Sequence, residues 1–172
     1  MLKNFKGTEI RLLDLPRTSL TNYKKINYYI PIGISCTWKC KDCQNIHYKK
    51  FFEKCDQNHK SWMKNVKINT KTIITNYMKN SLVDSIVLSG LEPFDNFDDL
   101  KILINDFRTF FDDDIIIFSG YEDIEIDHKI EELEKYYNIY VKFGRYIPNR
   151  KKFFDKLLNV ELASDNQYSK KL

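Results

Sequence analysis

The stretch DSIVLSGLEPFDNFDDLKILINDFRTFFDDDIIIFSG, residues 84–120, contains the repeating unit from which the fold can be predicted. Two short apolar runs, residues 84–90 and 114–120, are each typical of a buried strand and each end at a glycine. Between them, residues 96–111 have the apolar spacing of an amphipathic helix, and Asn96 stands where it can cap the first turn. A strand, a helix and a strand in this order predict two parallel strands joined by a right-handed crossover.

The same alternation continues on both sides of this unit. Strands are predicted where β-branched and aromatic residues cluster, and helices where apolar residues recur at helical spacing. The further strands cover residues 8–15, 26–35 and 139–144, and the further helices cover residues 69–81, 127–137 and 149–160. Three predicted strands end at Gly90, Gly120 and Gly144. Because ligands in such folds bind at the carboxyl ends of the strands, we expect the functional site at this edge.

The length and composition indicate the class of protein. A chain of 172 residues with 42% hydrophobic and 15% aromatic content predicts one folded domain over residues 1–172. No apolar run approaches the roughly 18 residues of a membrane span, and the first residues lack an apolar signal core. We therefore expect a cytoplasmic protein without a membrane partner. Cytoplasmic thiols stay reduced, so clustered cysteines are expected to serve metal or redox chemistry.

The charges are segregated along the chain. Residues 1–82 carry 16 Lys and Arg against 5 Asp and Glu, residues 83–141 carry 4 against 16, and residues 142–172 carry 8 against 3. Such segregation can mark a nucleic-acid or partner surface. Because no block of five or more basic residues occurs, we favour solvated helix faces and expect no direct nucleic-acid binding.

Three of the four cysteines lie in the segment SCTWKCKDCQN, residues 35–45. Cys36, Cys40 and Cys43 form C-x3-C-x2-C on a predicted loop, residues 36–46, which we call the cluster loop. Three thiolates can bind three irons of a cubane 4Fe–4S cluster and leave the fourth iron without a protein ligand. An open coordination position is what distinguishes catalytic metal sites from structural ones.

This spacing resembles the cluster motif of the radical S-adenosylmethionine enzymes. LSGLEPF, residues 88–94, is similar to the glycine-rich loop whose backbone binds the methionine amino group of the cofactor in that superfamily. Leu91 stands where the family usually has a second glycine, so a close approach of backbone to ligand requires a negative φ at Leu91. Asp42 stands where many members have an aromatic residue against adenine.

Further segments narrow the resemblance to the activating enzymes of anaerobic ribonucleotide reductase. These segments are CKDCQN at residues 40–45, IIIFSGYE at 115–122, VKFGRYIPN at 141–149 and ELASDNQ at 161–167. The resemblance implies a partial (β/α) barrel of the radical S-adenosylmethionine type. It also implies that Cys36, Cys40 and Cys43 bind the cluster, with no catalytic residue beyond these ligands. The implied contacts to S-adenosylmethionine come from Asp42, Cys43, Gln44, Gly90, Leu91, Glu92, Ser119 and Gly120.

The resemblance further implies a reaction and its partners. The cluster, reduced by a donor such as flavodoxin, cleaves S-adenosylmethionine, and the resulting 5′-deoxyadenosyl radical removes a hydrogen atom from a glycine of anaerobic ribonucleotide reductase. An activase of another glycyl-radical enzyme, of the pyruvate formate-lyase type, is the nearest alternative. An alternative of another class is a zinc-binding nucleic-acid or interaction module, because Cys40, Cys43, Cys55 and His59 form C-x2-C-x11-C-x3-H. That pattern leaves Cys36 unused and gives no role to residues 88–94.

Three more residues near these motifs each admit both a functional and a structural interpretation. Trp38 lies between the predicted ligands, where it can shield the cluster or face a partner, or else pack against the core. Glu92 can bind the ligand or cap the turn that Pro93 begins. Arg145 can bind the cofactor or a partner, or form a surface salt bridge.

Overall fold

The computed structural model describes residues 2–33, 35–38, 40, 43 and 67–172. In chain order the strands are β1 (Glu9–Arg11), β2 (Arg17–Ser19), β3 (Asn27–Ile32), β4 (Lys67–Asn69), β5 (Ser85–Gly90), β6 (Asp114–Phe118), β7 (Ile139–Phe143), β8 (Phe153–Asp155), β9 (Val160–Leu162) and β10 (Tyr168–Lys171). The α-helices are α1 (Thr70–Lys79), α2 (Phe97–Arg108) and α3 (Asp127–Leu133), and 3₁₀ turns cover Pro93–Asn96 and Asp123–Ile126. Every helix in this part of the chain is too short or too polar to cross a lipid bilayer.

A six-stranded sheet in the order β10-β7-β6-β5-β3-β2 forms the centre of the fold. Strands β3, β5, β6 and β7 are mutually parallel, whereas β2 and β10 pair antiparallel at the two edges. The four parallel strands therefore lie side by side in the order in which they occur along the chain. The parallel strands predicted from the alternation of strands and helices are confirmed. Among the described residues the sheet is open at β2 and β10.

The helices cover one face of this sheet. Helix α2 buries Leu100, Leu103, Ile104 and Phe107 against strand residues that include Ile86, Leu88, Ile115, Ile117 and Val141. This confirms that the apolar stripe of residues 96–111 belongs to the core. The opposite face of the sheet presents Tyr29, Val87, Ile116 and Tyr140, which pack with Tyr23 and with Leu158.

The helix predicted for residues 149–160 is wrong, because this segment belongs to a hairpin of β8 and β9. The Asp155 carboxylate accepts a hydrogen bond from the Leu158 N–H at 2.8 Å, and Asn159 has a positive φ of 57°. Polar side chains of this kind stabilise tight turns at the expense of helix. Asp155 also accepts from the Ser169 hydroxyl at 2.7 Å, which ties the hairpin to β10.

Candidate functional site

Three loops meet at the carboxyl ends of β3, β5 and β6, and the Glu92 carboxylate joins them. Its Oε2 accepts hydrogen bonds from Trp38 Nε1 at 3.0 Å and from the Gly120 N–H at 2.8 Å. Its Oε1 accepts from the Ser119 hydroxyl at 2.9 Å and from the Phe94 N–H at 3.2 Å. One side chain therefore holds the cluster loop, the loop after β5 and the loop after β6 together.

Glu92 is almost fully buried, with 2% of its surface exposed. Burial raises the pKa of this carboxyl, and the hydrogen bonds from Gly120, Phe94, Ser119 and Trp38 oppose that rise only in part. Glu92 does cap the turn that Pro93 begins, through Phe94. Two donors to each oxygen occupy the roughly four acceptor sites of a carboxylate. In the described geometry Glu92 therefore holds the three loops together.

Trp38 is held between the loops on three sides. Besides its bond to Glu92, its ring lies edge-on to Tyr121 with centroids 4.5 Å apart. The guanidinium of Arg145 lies 3.8 Å from the Trp38 ring centroid, a cation–π contact. A Cβ added at Gly120 would lie 2.8 Å from Trp38 Nε1, so the glycine makes room for this indole. Arg145 also lies 3.8 Å from Glu125, which confirms its interpretation as a residue of a surface salt bridge. Its contact with Trp38 was not predicted from the sequence.

The start of the cluster loop is anchored by the segment that follows β5. Asn96 Nδ2 donates to the Ser35 carbonyl at 3.1 Å, and Asn96 Oδ1 accepts from the Ser35 hydroxyl at 3.0 Å. The Asp95 carboxylate accepts from the Thr37 N–H at 2.6 Å and from the Tyr121 hydroxyl at 2.7 Å. These contacts fix the path of the chain into the predicted ligands.

Asn96 occupies the N-cap position of α2, but its side chain makes no capping hydrogen bond. The predicted cap is therefore wrong, because the amide is used for Ser35 and for the Glu92 carbonyl at 2.8 Å. By contrast, Asn69 caps α1, accepting from the Lys71 N–H at 2.8 Å. Both asparagines precede a helix, so the sequence alone could not show that Asn69 caps its helix and that Asn96 does not.

Gly90 ends β5 with φ of 119°, a conformation that favours glycine. A Cβ at this position would lie 2.9 Å from the Ile32 carbonyl oxygen of the neighbouring strand. A glycine is therefore required here because a side chain would clash with the backbone of β3. Leu91 is not among the described non-glycine residues with positive φ, so the condition that the leucine imposed on the loop is met.

Lys142 is a charged residue beneath the site that the sequence motifs did not single out. Only 6% of its surface is exposed, and its Nζ donates to the Ser119 carbonyl at 2.8 Å and to the Gly144 carbonyl at 2.9 Å. Burial lowers the pKa of Lys142 to about 8, whereas the charges of Glu92 and Cys40 act to raise it. The signal in the sequence was a lysine inside an apolar strand, IYVKFG.

The three predicted ligands Cys36, Cys40 and Cys43 are partly buried, and no disulfide joins any two of them. Cys36 Sγ lies 3.9 Å from the Trp38 carbonyl oxygen. The described residues contain no ready-made group of three metal-ligating side chains. The donor set nevertheless fits a cluster that takes three thiolates from one loop. The positions Asp42, Gln44, Cys55 and His59, named from sequence, lie outside the described residues.

Comparison with known proteins gives one family. A family model described as a 4Fe-4S single cluster domain matches residues 32–167, which is most of the chain. No curated protein and no solved structure matches. The matched segment begins at the end of β3 and includes the three cysteines and all of the loops joined by Glu92.

Proposed function

The chain belongs to the family of 4Fe-4S single cluster domains, and we propose that it is a radical S-adenosylmethionine enzyme that activates a glycyl-radical protein. The membership makes it an iron–sulfur protein, and this supports a cluster site over the zinc alternative. The proposal goes further, to S-adenosylmethionine as the second cofactor and to anaerobic ribonucleotide reductase as the substrate protein.

The observation that carries the proposal is the convergence on Glu92. Three segments that resemble separate motifs of the superfamily lie far apart in the sequence: the cluster loop, residues 88–94 and residues 115–122. Glu92 joins Trp38 of the first segment to Ser119 and Gly120 of the third. Motifs that matched by chance would have no reason to share one buried side chain.

The arrangement of the sheet supports the same proposal. Four parallel strands in sequential order, with helices on one face, are the expected local structure of a (β/α) barrel. Sequential crossovers of one hand place all helices on the same side. We therefore propose that the sheet is part of a partial barrel whose carboxyl edge holds the cofactors.

In this proposal Cys36, Cys40 and Cys43 hold the cluster, and the backbone after Gly90 holds the methionine part of S-adenosylmethionine. The chemistry that a bound, reduced cluster supplies is one electron, which cleaves S-adenosylmethionine into methionine and a 5′-deoxyadenosyl radical. Glu92 and Trp38 keep the cluster loop against the loops after β5 and β6. Such positioning is needed because radical transfer requires the reacting atoms to be held in near contact.

The substrate of the radical is a glycine of a large partner protein. Transfer of one hydrogen atom to the radical gives 5′-deoxyadenosine and leaves the unpaired electron on the partner glycine. An external one-electron donor such as flavodoxin supplies the reducing electron. The four segments that resemble the ribonucleotide reductase activases favour that reductase over pyruvate formate-lyase as the partner.

The test uses the chain reconstituted anaerobically with iron and sulfide. We expect about four irons per chain, formation of 5′-deoxyadenosine and methionine with dithionite, and a glycyl-radical signal in electron paramagnetic resonance when anaerobic ribonucleotide reductase is added. One tightly bound zinc and no iron would refute the iron–sulfur assignment. Cleavage of S-adenosylmethionine with a radical only on a pyruvate formate-lyase type partner would refute the choice of partner.

A further inference from the structure

Lys142 lies on the face of the sheet opposite the one that the described helices α1, α2 and α3 cover. In β7, Ile139, Val141 and Phe143 belong to the core under the helices, whereas Tyr140 belongs to the cluster of side chains on the opposite face. Because successive side chains of a strand point to opposite faces, Lys142 shares the face of Tyr140. It is one residue from the carboxyl end of β7, the edge at which the three loops meet.

The Lys142 ammonium is buried without a direct counterion. Its described hydrogen bonds go to two neutral carbonyls, those of Ser119 and Gly144. Among the described residues it forms no ion pair, and the attraction on its charge comes from Glu92, Cys40 and Glu122 at longer range. A buried cation is costly unless anions compensate it. The compensating groups of this cation therefore include the site itself.

Two of these anions belong to the site. Ser119, whose carbonyl accepts from Lys142, donates its hydroxyl to Glu92, so one residue separates the ammonium from the buried carboxylate. Cys40 is a predicted cluster ligand, and a cysteine that binds iron does so as a thiolate. The positive charge of Lys142 thus acts on Cys40, a predicted ligand of the cluster.

We propose that Lys142 raises the reduction potential of the 4Fe–4S cluster. Reduction adds one electron from a low-potential one-electron donor and breaks no covalent bond, so the added negative charge is stabilised by a fixed positive charge nearby. Net charge and solvent exposure are among the factors that set cluster potentials. This inference rests on the cluster of the family and on Cys40 as a ligand, and it does not require cleavage of S-adenosylmethionine.

The test compares the cluster potential in chains with and without this charge. Lys142→Met keeps the length and apolar stem of the side chain and removes the ammonium. The protein is reconstituted anaerobically without S-adenosylmethionine, titrated with dithionite and viologen mediators, and followed by electron paramagnetic resonance. At a fixed potential we expect the ratio of reduced to oxidised cluster to fall about tenfold, a shift of about 59 mV to more negative potential for one electron.

Two controls separate charge from packing. Lys142→Arg keeps the charge and should keep the wild-type potential. Lys152→Met removes a lysine whose side chain is 68% exposed and paired with Glu161. Because exposed charges are screened by water and salt, that variant should also keep the wild-type potential. A shift in Lys142→Arg as large as that in Lys142→Met would overturn the proposal, because it would show an effect of packing.

The remaining outcomes also decide the question. An unchanged potential in Lys142→Met with its full iron content would overturn the proposal. If that variant binds no iron, Lys142→Gln is measured by the same criterion. Iron binding by Lys142→Arg and by neither uncharged variant would also overturn it, since the charge would then act in cluster assembly. If wild-type protein forms no 5′-deoxyadenosine, the proposed function fails. The comparison of cluster potentials then still tests the role of Lys142.

Discussion

The two ends of the parallel strands each contain a buried carboxylate, and the two carboxylates have different partners. At the amino end, Asp114 accepts from the Tyr23 hydroxyl at 2.8 Å, and Lys25 Nζ lies 2.8 Å from the same oxygen. At the carboxyl end, Glu92 accepts four hydrogen bonds from neutral groups. Among the described residues, the buried cation Lys142 is linked to it only through Ser119.

The pKa values of the two carboxylates respond in opposite directions. Burial acts to raise the pKa of Asp114, but the hydrogen bonds from Lys25 and Tyr23 and the charge of Lys25 outweigh it and lower the pKa. Burial raises the pKa of Glu92, and its neutral donors do not reverse that change. The amino end therefore neutralises its charge locally, as a structural ion pair does. The carboxyl end keeps charges that are not directly paired, which is typical of functional sites.

The largest effect at the carboxyl end is expected on iron content, when a predicted cluster ligand is replaced. In Cys36→Ala the cluster loses one of three thiolates, and we expect iron to fall from about four per chain to below about one. Iron and acid-labile sulfide analysis of anaerobically reconstituted protein measures this. Cys55→Ala is the matched control and should keep its iron, because Cys55 belongs to the zinc pattern and not to C-x3-C-x2-C. The reverse result, with iron lost only in Cys55→Ala, would contradict the assignment of ligands.

Crowding the contact between the cluster loop and the loop after β6 should have the next largest effect. In Gly120→Ala the new methyl group would lie 2.8 Å from Trp38 Nε1, so the indole must move away from Glu92. We expect the rate of 5′-deoxyadenosine formation to fall about tenfold, since small displacements of positioning groups carry large kinetic costs.

A double variant tests whether Trp38 carries this effect. In a Trp38→Ala background, Gly120→Ala should have little further effect on the rate, because the clashing ring is gone. Tryptophan fluorescence in a Trp62→Phe background should shift to longer wavelength in Gly120→Ala, reporting a more exposed Trp38. Additive losses of rate in the double variant would show that Gly120 acts on something other than Trp38.

A substitution at the amino end of the strands should lower the stability of the fold and leave the iron content unchanged. In Asp114→Asn, Tyr23 and Lys25 lose their charged partner, and we expect the free energy of unfolding to fall by about 2 kcal/mol at pH 7. The iron content of the reconstituted variant should be unchanged. Because the pKa of Asp114 is lowered in the fold, its contribution is fully present above the unfolded value near 3.9 and is lost as the pH falls through the folded pKa.

Urea unfolding of the metal-free wild type and of Asp114→Asn between pH 7 and pH 3 measures this dependence. The difference in the free energy of unfolding should be constant from pH 7 to about pH 5 and should shrink below about pH 4. A difference that grows on acidification would contradict the lowered pKa of Asp114.

The parallel core was predictable because its signals are local and repeated. Residues 84–120 alone define β5, α2 and β6, since the apolar runs and the helical stripe of this segment mark the side chains that the fold buries. The hairpin of residues 153–162 was missed because Asp155 and Asn159 stabilise a turn within a segment whose apolar spacing favours a helix.

The contacts between the loops were less predictable than the edge at which the loops meet. Glycines at the strand ends predicted a site at this edge, where Gly120 lies beside Trp38 of the cluster loop and Gly90 lies against the end of β3. The roles of Asn96 and Lys142 depend on groups more than 20 residues away in the chain, Ser35 and Ser119. Pairings between distant residues leave no periodic trace in one sequence.

The smallest expected effect concerns Leu91, the residue that follows Gly90 at the carboxyl end of β5. Since Leu91 does not have a positive φ, a glycine is not required there. Leu91→Gly should therefore change the affinity for S-adenosylmethionine by less than about twofold. Backbone entropy should lower the free energy of unfolding of this variant by up to about 1 kcal/mol. Isothermal titration of the reconstituted protein measures the affinity. Gly90→Ala is the matched contrast, because its Cβ would lie 2.9 Å from the Ile32 carbonyl and its φ is 119°. That variant should unfold at lower temperature than wild type whether or not the loop binds a ligand. A tenfold tighter affinity in Leu91→Gly would show instead that the leucine side chain obstructs the cofactor, and that the loop at the carboxyl end is not in its binding geometry.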